Sequence, residues 1–280
     1  MTQFRIGVVV VSHNSESFLS ETLDSIGSQT IRPTVVLVVD DHSVDGTVST
    51  VGRWSASRQS AGIAVSVVQS MCIDQHPYTR IARNFTQGVR ALRDLDLIAL
   101  ADHDDEWLPD RLEVQSGIMH DADSMFLASN GVLSGSTGTL FETFEVPDDF
   151  GAWNRRRQLR HVLRRSVATG GASMLRPGAL MRSRSFIPPP GWLHDRWWSI
   201  VAAVHGRLQV SKEPVLRYQL SPSQMVGLNR GRQSLQGFRR LGSINRSDLT
   251  RLHTLHSLKE EAPPELQAEF RWDRLVKALL

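Results

Sequence analysis

Short apolar runs that are separated by helix-like segments are the feature that most restricts the fold of this chain. Residues 6–11, 34–39, 63–68 and 97–101 are rich in aliphatic side chains and are too short for typical helices. Between the first two runs, over residues 15–26, apolar side chains recur at the spacing of an amphipathic helix. Strands that alternate with helices in this way predict a mostly parallel central sheet flanked by helices. The sequence therefore predicts an α/β fold.

After residue 107 the pattern is looser, and its elements are shorter. It predicts strands at 124–128 and 172–175, a turn region at 131–138 and a basic amphipathic helix at 150–165. From residue 223 onward the sequence is polar and mostly helical in pattern. We therefore expect a main domain over residues 1–220 and a helical C-terminal extension over residues 221–280.

Polar side chains follow three of the predicted strands at the point where each strand ends. They are Ser12-His13-Asn14, Asp40-Asp41 and Asp102-His103-Asp104-Asp105. In an open parallel sheet, ligands bind outside the carboxyl ends of the strands. One acidic strand end by itself is better explained by a helix cap. Three such ends together predict a binding site at this edge of the sheet.

The third of these strand ends points to a metal ion. Asp102, Asp104 and Asp105 place three carboxylates within four residues, and their repulsion must be neutralised by a cation or a positive side chain. Oxygen ligands favour Mg²⁺ or Mn²⁺, which commonly bridge carboxylates to the phosphates of a substrate. A calcium-binding EF-hand is excluded because position six of such a loop, Trp107, is not glycine.

Several other functions are disfavoured by what the sequence lacks. It contains no Gly-x-x-x-x-Gly-Lys-Ser/Thr phosphate loop, no Gly-x-Gly-x-x-Gly after the first strand and no Gly-x-Ser-x-Gly. These absences argue against P-loop NTPases, dinucleotide-dependent oxidoreductases and serine hydrolases. The formal net charge is only +3, from 32 basic and 29 acidic residues, so nucleic-acid binding is not implied.

Composition also bears on the expected location. The only cysteine, Cys72, cannot form an intrachain disulfide and fits a reducing compartment. The apolar run at 6–11 is far shorter than the roughly 20 residues of a membrane helix, and we interpret it as a strand rather than a signal peptide. We therefore expect a cytoplasmic protein. Basic clusters at 154–165 and 230–251 could contact anionic lipids at the inner membrane surface, or could be solvated helix faces.

Five segments resemble family 2 glycosyltransferases of the GT-A fold in order and spacing. They read VVVVSHN at 8–14, SIGSQT at 25–30, VVDDHSVDGT at 38–47, DHDDEWLPDRL at 102–112 and GWLHD at 191–195. The resemblance covers residues 5–220. The His-Asp pair that precedes a Trp pair is similar to bacterial rhamnosyltransferase-like members that build surface polysaccharides.

The resemblance implies roles in donor binding for residues at the strand ends. Val11 and His13 would contact the base and ribose, and Asp41 would accept a hydrogen bond from an N–H of a pyrimidine. Arg83 would lie near the base or the diphosphate, and Asp102 would approach the ribose.

It also implies a metal site and a catalytic base. Asp104, together with Asp105, would hold Mn²⁺ or Mg²⁺ on the diphosphate. Asp195 would be the general base for the acceptor hydroxyl, in a single displacement that inverts the anomeric centre. From the residues alone, a helix N-cap explains Asp195 equally well.

Three further residues near Asp195 are candidates for contacts with the sugar or the acceptor. Trp192 and Trp197 could stack on a sugar face, although burial in the core is an equal alternative. His194 could contact a phosphate or metal, or could form a structural hydrogen bond. Upstream, Gly170-Gly171 could allow the backbone to approach the donor sugar closely, or could be a plain turn.

Together these features predict an inverting, metal-dependent glycosyltransferase. Its donor would be a UDP- or dTDP-linked sugar, and its acceptor a hydroxyl of a glycan or a lipid-linked molecule. A nucleotidyltransferase is one alternative, but such enzymes usually carry a Gly-rich loop near the N-terminus, and residues 12–17 contain no glycine. A non-catalytic relative that binds nucleotide or glycan is the other.

Overall fold

The computed structural model describes residues 4–58, 62–120, 123–219 and 246–279. Its strands are β1 (Ile6–Ser12), β2 (Val35–Asp40), β3 (Ala64–Gln69), β4 (Leu97–Asp102), β5 (Glu106–Trp107), β6 (Phe126–Leu133), β7 (Ser173–Leu175) and β8 (Leu208–Tyr218). Its α-helices are α1 (Leu19–Gly27), α2 (Thr47–Arg58), α3 (Pro77–Ala91), α4 (Arg111–His120), α5 (Leu140–Thr143), α6 (Arg155–Arg164), α7 (Pro177–Leu180) and α8 (His194–Val204), followed by C-terminal helices at Arg246–Ser257 and Trp272–Leu279.

The described strands form one sheet in the order β3-β2-β1-β4-β7-β6-β8-β5. β1 pairs in parallel with β2 and β4, and β2 pairs in parallel with β3. β7 runs antiparallel between β4 and β6, so β6 points in the same direction as β4, and β8 is parallel to β6. Six strands therefore end at the same edge of the sheet, which we call the carboxyl edge. The predicted α/β fold with a mostly parallel sheet is confirmed.

The reversal at β7 brings an irregular segment to the carboxyl edge. Ile98 of β4 lies opposite Leu175 of β7, and Ala99 lies opposite Met174. Because the two strands run in opposite directions, the 3₁₀ turn Gly170–Ala172, which precedes β7, continues alongside the last residues of β4. This turn therefore reaches the end of β4.

The last long strand is absent from the sequence-based prediction. β8 has 11 residues, mixes buried with exposed positions irregularly and contains Pro214, which cannot donate a hydrogen bond to a neighbouring strand. Its register with β6 shifts between Ser129 and Asn130, beside that proline. β6 itself continues to Leu133, into the region predicted as a turn. Pairing between distant segments forms this part of the sheet despite a weak local pattern.

The two faces of β1 explain why helices cover both sides of the sheet. β1 is buried along its whole length. Val9 packs in one core cluster with Phe85 of α3, whereas Val10 packs in a second cluster with Leu23 of α1. Successive side chains of a strand point to opposite faces, so a strand that is apolar throughout needs a helix layer on each side.

The C-terminal helices pack on the same core as α6 and α8. Leu252 and Leu275 are buried in one cluster with Leu159 of α6 and Val201 of α8. The expected domain boundary at 220/221 and much of the basic cluster at 230–251 lie outside the described residues. No helix among the described residues is long and apolar enough to cross a membrane.

Glu269 links the C-terminal segment to α6 through ion pairs. The residue is 3% exposed, and Arg160 donates hydrogen bonds of 2.7 and 2.9 Å to its two carboxylate oxygens. Arg156 and Arg274 also form ion pairs with it. Burial alone would raise the pKa of Glu269, but the hydrogen bond from Arg160 and the surrounding arginine charges outweigh burial and lower it.

Other arginines in the predicted basic helix region also have carboxylate partners. Arg157 lies 3.7 Å from Asp149, and Arg165 pairs with Glu145. Much of the positive charge that the sequence places here is therefore neutralised within the protein. Contact of this region with lipid stays a prediction.

We expect Glu269→Gln to lower the free energy of unfolding by about 1–2 kcal/mol, because the amide removes the charge that three arginines share. The loss should stay below that of a fully buried pair, since the arginine side chains are 40–50% exposed. Denaturant titration measures the difference. Glu265→Gln is the matched control, because Glu265 is exposed. Equal stability of the two variants would contradict this role of Glu269.

Candidate active site

Four carboxylates lie together at the carboxyl edge. Asp102 ends β4, Asp104 and Asp105 follow it, and Asp195 lies in the first turn of α8. Burial and the charges of Asp104 and Asp195 raise the pKa of Asp102 to about 7. Burial and the charges of Asp102 and Asp104 also raise the pKa of Asp105. The four acidic residues predicted from the sequence thus form one cluster, which we call the acidic cluster.

Asp195 is held by backbone amides on both sides. Its Oδ2 accepts a 2.9 Å hydrogen bond from the N–H of Gly170, and its Oδ1 accepts one of 2.6 Å from the N–H of Arg196. The N-cap position of α8 is occupied by Leu193, not by Asp195. Burial raises the pKa of Asp195 to about 6, although these hydrogen bonds oppose the shift. A carboxylate with such a pKa is suited to accept a proton near neutral pH.

Arg111 is a buried cation beneath the acidic cluster. Its side chain is fully buried, stacks 3.6 Å from the ring centre of Trp107 and donates a 2.9 Å hydrogen bond to the carbonyl of Leu100. Burial lowers the pKa of Arg111 to about 9, and the charges of Asp105 and Asp102 oppose that shift. No role was predicted for this arginine from the sequence. The available signal was its position six residues after Asp105.

Asp105 belongs to this buried layer. It is 1% exposed, and its Oδ1 accepts a 3.2 Å hydrogen bond from the N–H of Gln219. Its Oδ2 is buried without a hydrogen-bond partner among the described residues. Asp102 and Asp104, by contrast, are partly exposed. The burial of Asp105 argues against direct metal ligation by this residue and favours Asp104.

The acidic cluster supplies oxygen atoms to a cation without surrounding it. Among the described residues, no three His, Cys, Asp or Glu side chains are arranged around one point as metal ligands. Mg²⁺ is commonly held by only one or two carboxylates, with substrate phosphates and water completing its shell. The partly exposed carboxylates of Asp102 and Asp104 fit this demand for hard oxygen ligands.

Asp41 and His13 meet at the ends of β2 and β1. Asp41 is 4% exposed, its Oδ2 lies 2.7 Å from Nε of Arg80, and its Oδ1 has no described hydrogen-bond partner. Nδ1 of His13 lies 2.6 Å from the carbonyl oxygen of Asp41. Asp40 instead binds the N–H and hydroxyl of Ser43 and so holds the loop after β2. The sequence did not identify Arg80 as the partner of Asp41.

Val11 and Arg83 complete the set of predicted donor-binding residues. Val11 is buried and lies directly opposite Asp102 in the β1–β4 register. Arg83 is a partly buried residue of α3. Its guanidinium forms no hydrogen bond or ion pair with the described residues, so it is available to an anionic ligand.

Trp192 and Trp197 lie in the hydrophobic core. They are 5% and 2% exposed, and their ring centres are 5.3 Å apart. Nε1 of Trp197 donates a 2.6 Å hydrogen bond to the carbonyl of Ser185. A buried ring offers no face to a sugar, so we correct the predicted sugar contacts of these two residues to the alternative of core packing.

His194 is buried between aromatic rings. It stacks on Phe85 with a centroid distance of 3.9 Å and meets Trp198 edge-on at 5.3 Å. Burial lowers its pKa to about 3, so the imidazole is neutral. Neither ring nitrogen has a hydrogen-bond partner among the described residues, so the alternative of a structural hydrogen bond is wrong there. Contact of His194 with a phosphate or metal stays a prediction.

Tyr218 is a site residue that the sequence analysis missed. It ends β8 and is 7% exposed. Burial and the charges of Asp102, Asp105, Asp104 and Asp195 raise the pKa of its phenol. A neutral hydrogen-bond donor therefore lies within electrostatic reach of the whole acidic cluster. Recognition of β8 as a strand would have placed this residue at the carboxyl edge.

The fold is similar to that of several solved glycosyltransferase structures. S. aureus TarS 1–349 in complex with UDP matches with a TM-score of 0.57 and 16% identity, over 98% of this chain and 89% of that one. Mannosyltransferase PcManGT from Pyrobaculum calidifontis, in complex with GDP-Man and Mn²⁺, matches with a TM-score of 0.60 and 17% identity, over 99% and 72%. Glucosyl-3-phosphoglycerate synthase from Mycobacterium tuberculosis, with Mn²⁺ and UDP, matches with a TM-score of 0.51 and 14% identity, over 78% and 73%.

Sequence comparison identifies the family. No curated protein matches the chain. The sequence model of the glycosyl transferase family 2, however, matches residues 7–185, which is more than half of the 280 residues. The resemblance found in the motifs is thereby confirmed, and the chain belongs to glycosyl transferase family 2.

Proposed function

We propose that this protein is an inverting, metal-dependent glycosyltransferase that moves a sugar from a nucleoside-diphosphate sugar to a hydroxyl group. The observation that carries the proposal is the placement of Asp195, which lies on a different segment from Asp102 yet accepts a hydrogen bond from the amide next to the one that binds Asp102. This arrangement separates one carboxylate for the acceptor from those that face the donor. Membership of the family supports the type of reaction.

The donor that we propose is a UDP- or dTDP-linked sugar. Asp41 has an unused acceptor oxygen, which is suited to an N–H of a pyrimidine, and His13 lies beside it. Arg83 has a guanidinium that can pair with the diphosphate. The solved TarS and glucosyl-3-phosphoglycerate synthase structures contain UDP, whereas the mannosyltransferase contains GDP-Man.

Mn²⁺ or Mg²⁺ is the proposed cofactor. When bound, such an ion would neutralise charge on the leaving diphosphate. Asp104 and the neighbouring Asp102 would hold the ion. The buried Asp105 and Arg111 would determine the net charge beneath these two ligands. The mannosyltransferase and glucosyl-3-phosphoglycerate synthase complexes contain Mn²⁺, which supports this assignment.

Asp195 is the proposed general base. The acceptor hydroxyl attacks the anomeric carbon on the face opposite the diphosphate, and Asp195 accepts its proton as the new bond forms. The bond between the sugar and the diphosphate breaks in the same step, and the diphosphate leaves with the bonding electrons. We place the hydroxyl on a glycan or a lipid-linked acceptor of surface polysaccharide synthesis, on the basis of the His-Asp motif at 194–195.

A protein that only binds nucleotide sugar or glycan is the alternative from another class. The raised pKa of Asp195 favours the enzyme, because binding alone has no need of a base. Release of free sugar from the donor in the absence of acceptor would separate the two.

We expect Asp104→Asn to weaken the binding of UDP and dTDP in Mn²⁺ by about tenfold or more, because the amide is a poorer metal ligand. Calorimetry with and without a chelator measures this effect, and the chelator should abolish the difference. Asp110→Asn is the matched control, since Asp110 is exposed in the same segment. If Asp104→Asn binds both nucleotides as tightly as the wild type, the metal role is wrong.

Asp195→Asn should retain nucleotide-sugar affinity and lose about a hundred- to ten-thousand-fold in transfer rate, because an amide keeps the size but cannot accept a proton. Steady-state rates, donor affinity and the melting temperature are measured on the same preparation. A variant with normal turnover would remove Asp195 from the mechanism. One that melts several degrees lower would identify it as a structural residue of α8.

The transfer rate should depend on pH through Asp195. Its pKa is raised to about 6, and only the ionised carboxylate accepts a proton, so kcat/KM should rise about tenfold per pH unit below pH 6 and level off above it. A profile of kcat/KM from pH 4.5 to 8 tests this. The residual rate of Asp195→Asn should lack the inflection. An inflection near pH 4 in the wild type would contradict the raised pKa.

A further inference from the structure

Gly170 and Gly171 lie between the two halves of the acidic cluster, and neither needs to be glycine for reasons of backbone conformation. Both are buried in the 3₁₀ turn before β7. The glycines with positive φ among the described residues are at positions 62, 135, 191 and 206. Any residue could therefore adopt the backbone of this turn. The requirement for glycine is a requirement for space.

The space that each glycine leaves is used by a different neighbour. A Cβ at Gly171 would lie 2.5 Å from Oδ2 of Asp105 and 2.9 Å from Oδ2 of Asp102. A Cβ at Gly170 would lie 2.5 Å from Nε2 of His194. The imidazole cannot easily retreat, because Phe85 stacks on it at 3.9 Å. A methyl group at position 171 would thus collide with the carboxylates of Asp102 and Asp105. A methyl group at position 170 would collide with His194, the residue before Asp195.

The amides of the same two residues hold one carboxylate each. The N–H of Gly170 donates to Oδ2 of Asp195 at 2.9 Å, and the N–H of Gly171 donates to Oδ2 of Asp102 at 3.0 Å. Adjacent backbone nitrogens lie at most about 3.6 Å apart, so the two oxygens are at most about 10 Å apart. A single peptide unit therefore limits the distance between the proposed base and the end of β4.

We propose that Gly170-Gly171 is a positioning element that sets the two halves of the site independently. Gly170 positions Asp195 toward the acceptor, and Gly171 positions Asp102 and Asp105 beneath the donor and metal. The proposal rests on the proposed function, in which Asp195 and Asp102 serve opposite partners. It replaces the close approach to the donor sugar, and the plain turn, that the sequence offered for this pair.

Alanine at each position tests the proposal, because the two variants should fail in different ways. Gly170→Ala should lower kcat by about tenfold to a hundredfold, the size expected from a misplacement of roughly 1 Å, and leave donor affinity within about twofold of the wild type. Gly171→Ala should weaken donor binding in Mn²⁺ by about tenfold or more, and raise the Mn²⁺ concentration needed for half-maximal activity. Transfer kinetics and calorimetry with the donor nucleotide measure these effects.

Gly117→Ala is the matched control, because Gly117 is exposed in α4 and a Cβ there has no neighbour within 4 Å. A second test measures the effect of the added methyl with and without the obstructing ring. Relative to His194→Ala, the Gly170→Ala/His194→Ala protein should lose far less kcat than Gly170→Ala loses relative to the wild type.

The outcomes separate this proposal from the proposed function. If the wild type binds donor but transfers no sugar to any acceptor, the proposed function fails. If the wild type transfers and both glycine variants match Gly117→Ala, the positioning role alone is overturned. It is also overturned if both variants lose kcat and donor affinity in parallel. The same holds if the methyl group at position 170 lowers kcat as much without the His194 ring as with it.

Discussion

Mutual repulsion among Asp102, Asp104, Asp105 and Asp195 is the constraint on which the rest of the site depends. Burial of like charges is costly, and here it raises the pKa of three of these four carboxyl groups. The fold offsets part of this cost with the buried guanidinium of Arg111 and with backbone amides from the glycine turn and from the residue after β8. The remaining negative charge favours the binding of a divalent cation. Burial keeps Asp195 basic enough to accept a proton.

The sheet brings these groups together because one short strand is reversed. β7 runs against β4, so the turn before β7 reaches the same edge as the end of β4. β8 runs parallel to β6, so Tyr218, its last residue, lies at that edge as well. An uninterrupted parallel sheet would place the start of every strand at the opposite edge, and no backbone amide of such a turn could join Asp102 to Asp195.

The position of Asp195 depends further on the packing of α8. Trp197 and Trp198 anchor this helix, since their indole N–H groups donate to the carbonyls of Ser185 and Phe186 at 2.6 and 2.8 Å. Behind α8, α6 and the C-terminal helices share its core cluster and are joined through Glu269. Sites that are supported by packed helices hold their geometry more accurately than sites on loops. The aromatic residues near Asp195 thus act through its position and not through contact with a sugar.

Local sequence patterns were enough to predict the fold class and the candidate acidic residues of the strand ends. Strand and helix periodicity and the polar residues at strand ends can be read without knowledge of which segments meet, and Asp102 was found in this way. Asp195 was identified through the resemblance of its segment to the family. The neighbours of those residues depend on how distant segments pack together. Arg80, Arg111 and Tyr218 entered the site through contacts between distant segments, and β8 formed through pairing that its own pattern does not reveal. The burial of Asp105, Trp192 and Trp197, and the need for space at Gly170 and Gly171, follow from packing in three dimensions, which no local pattern encodes.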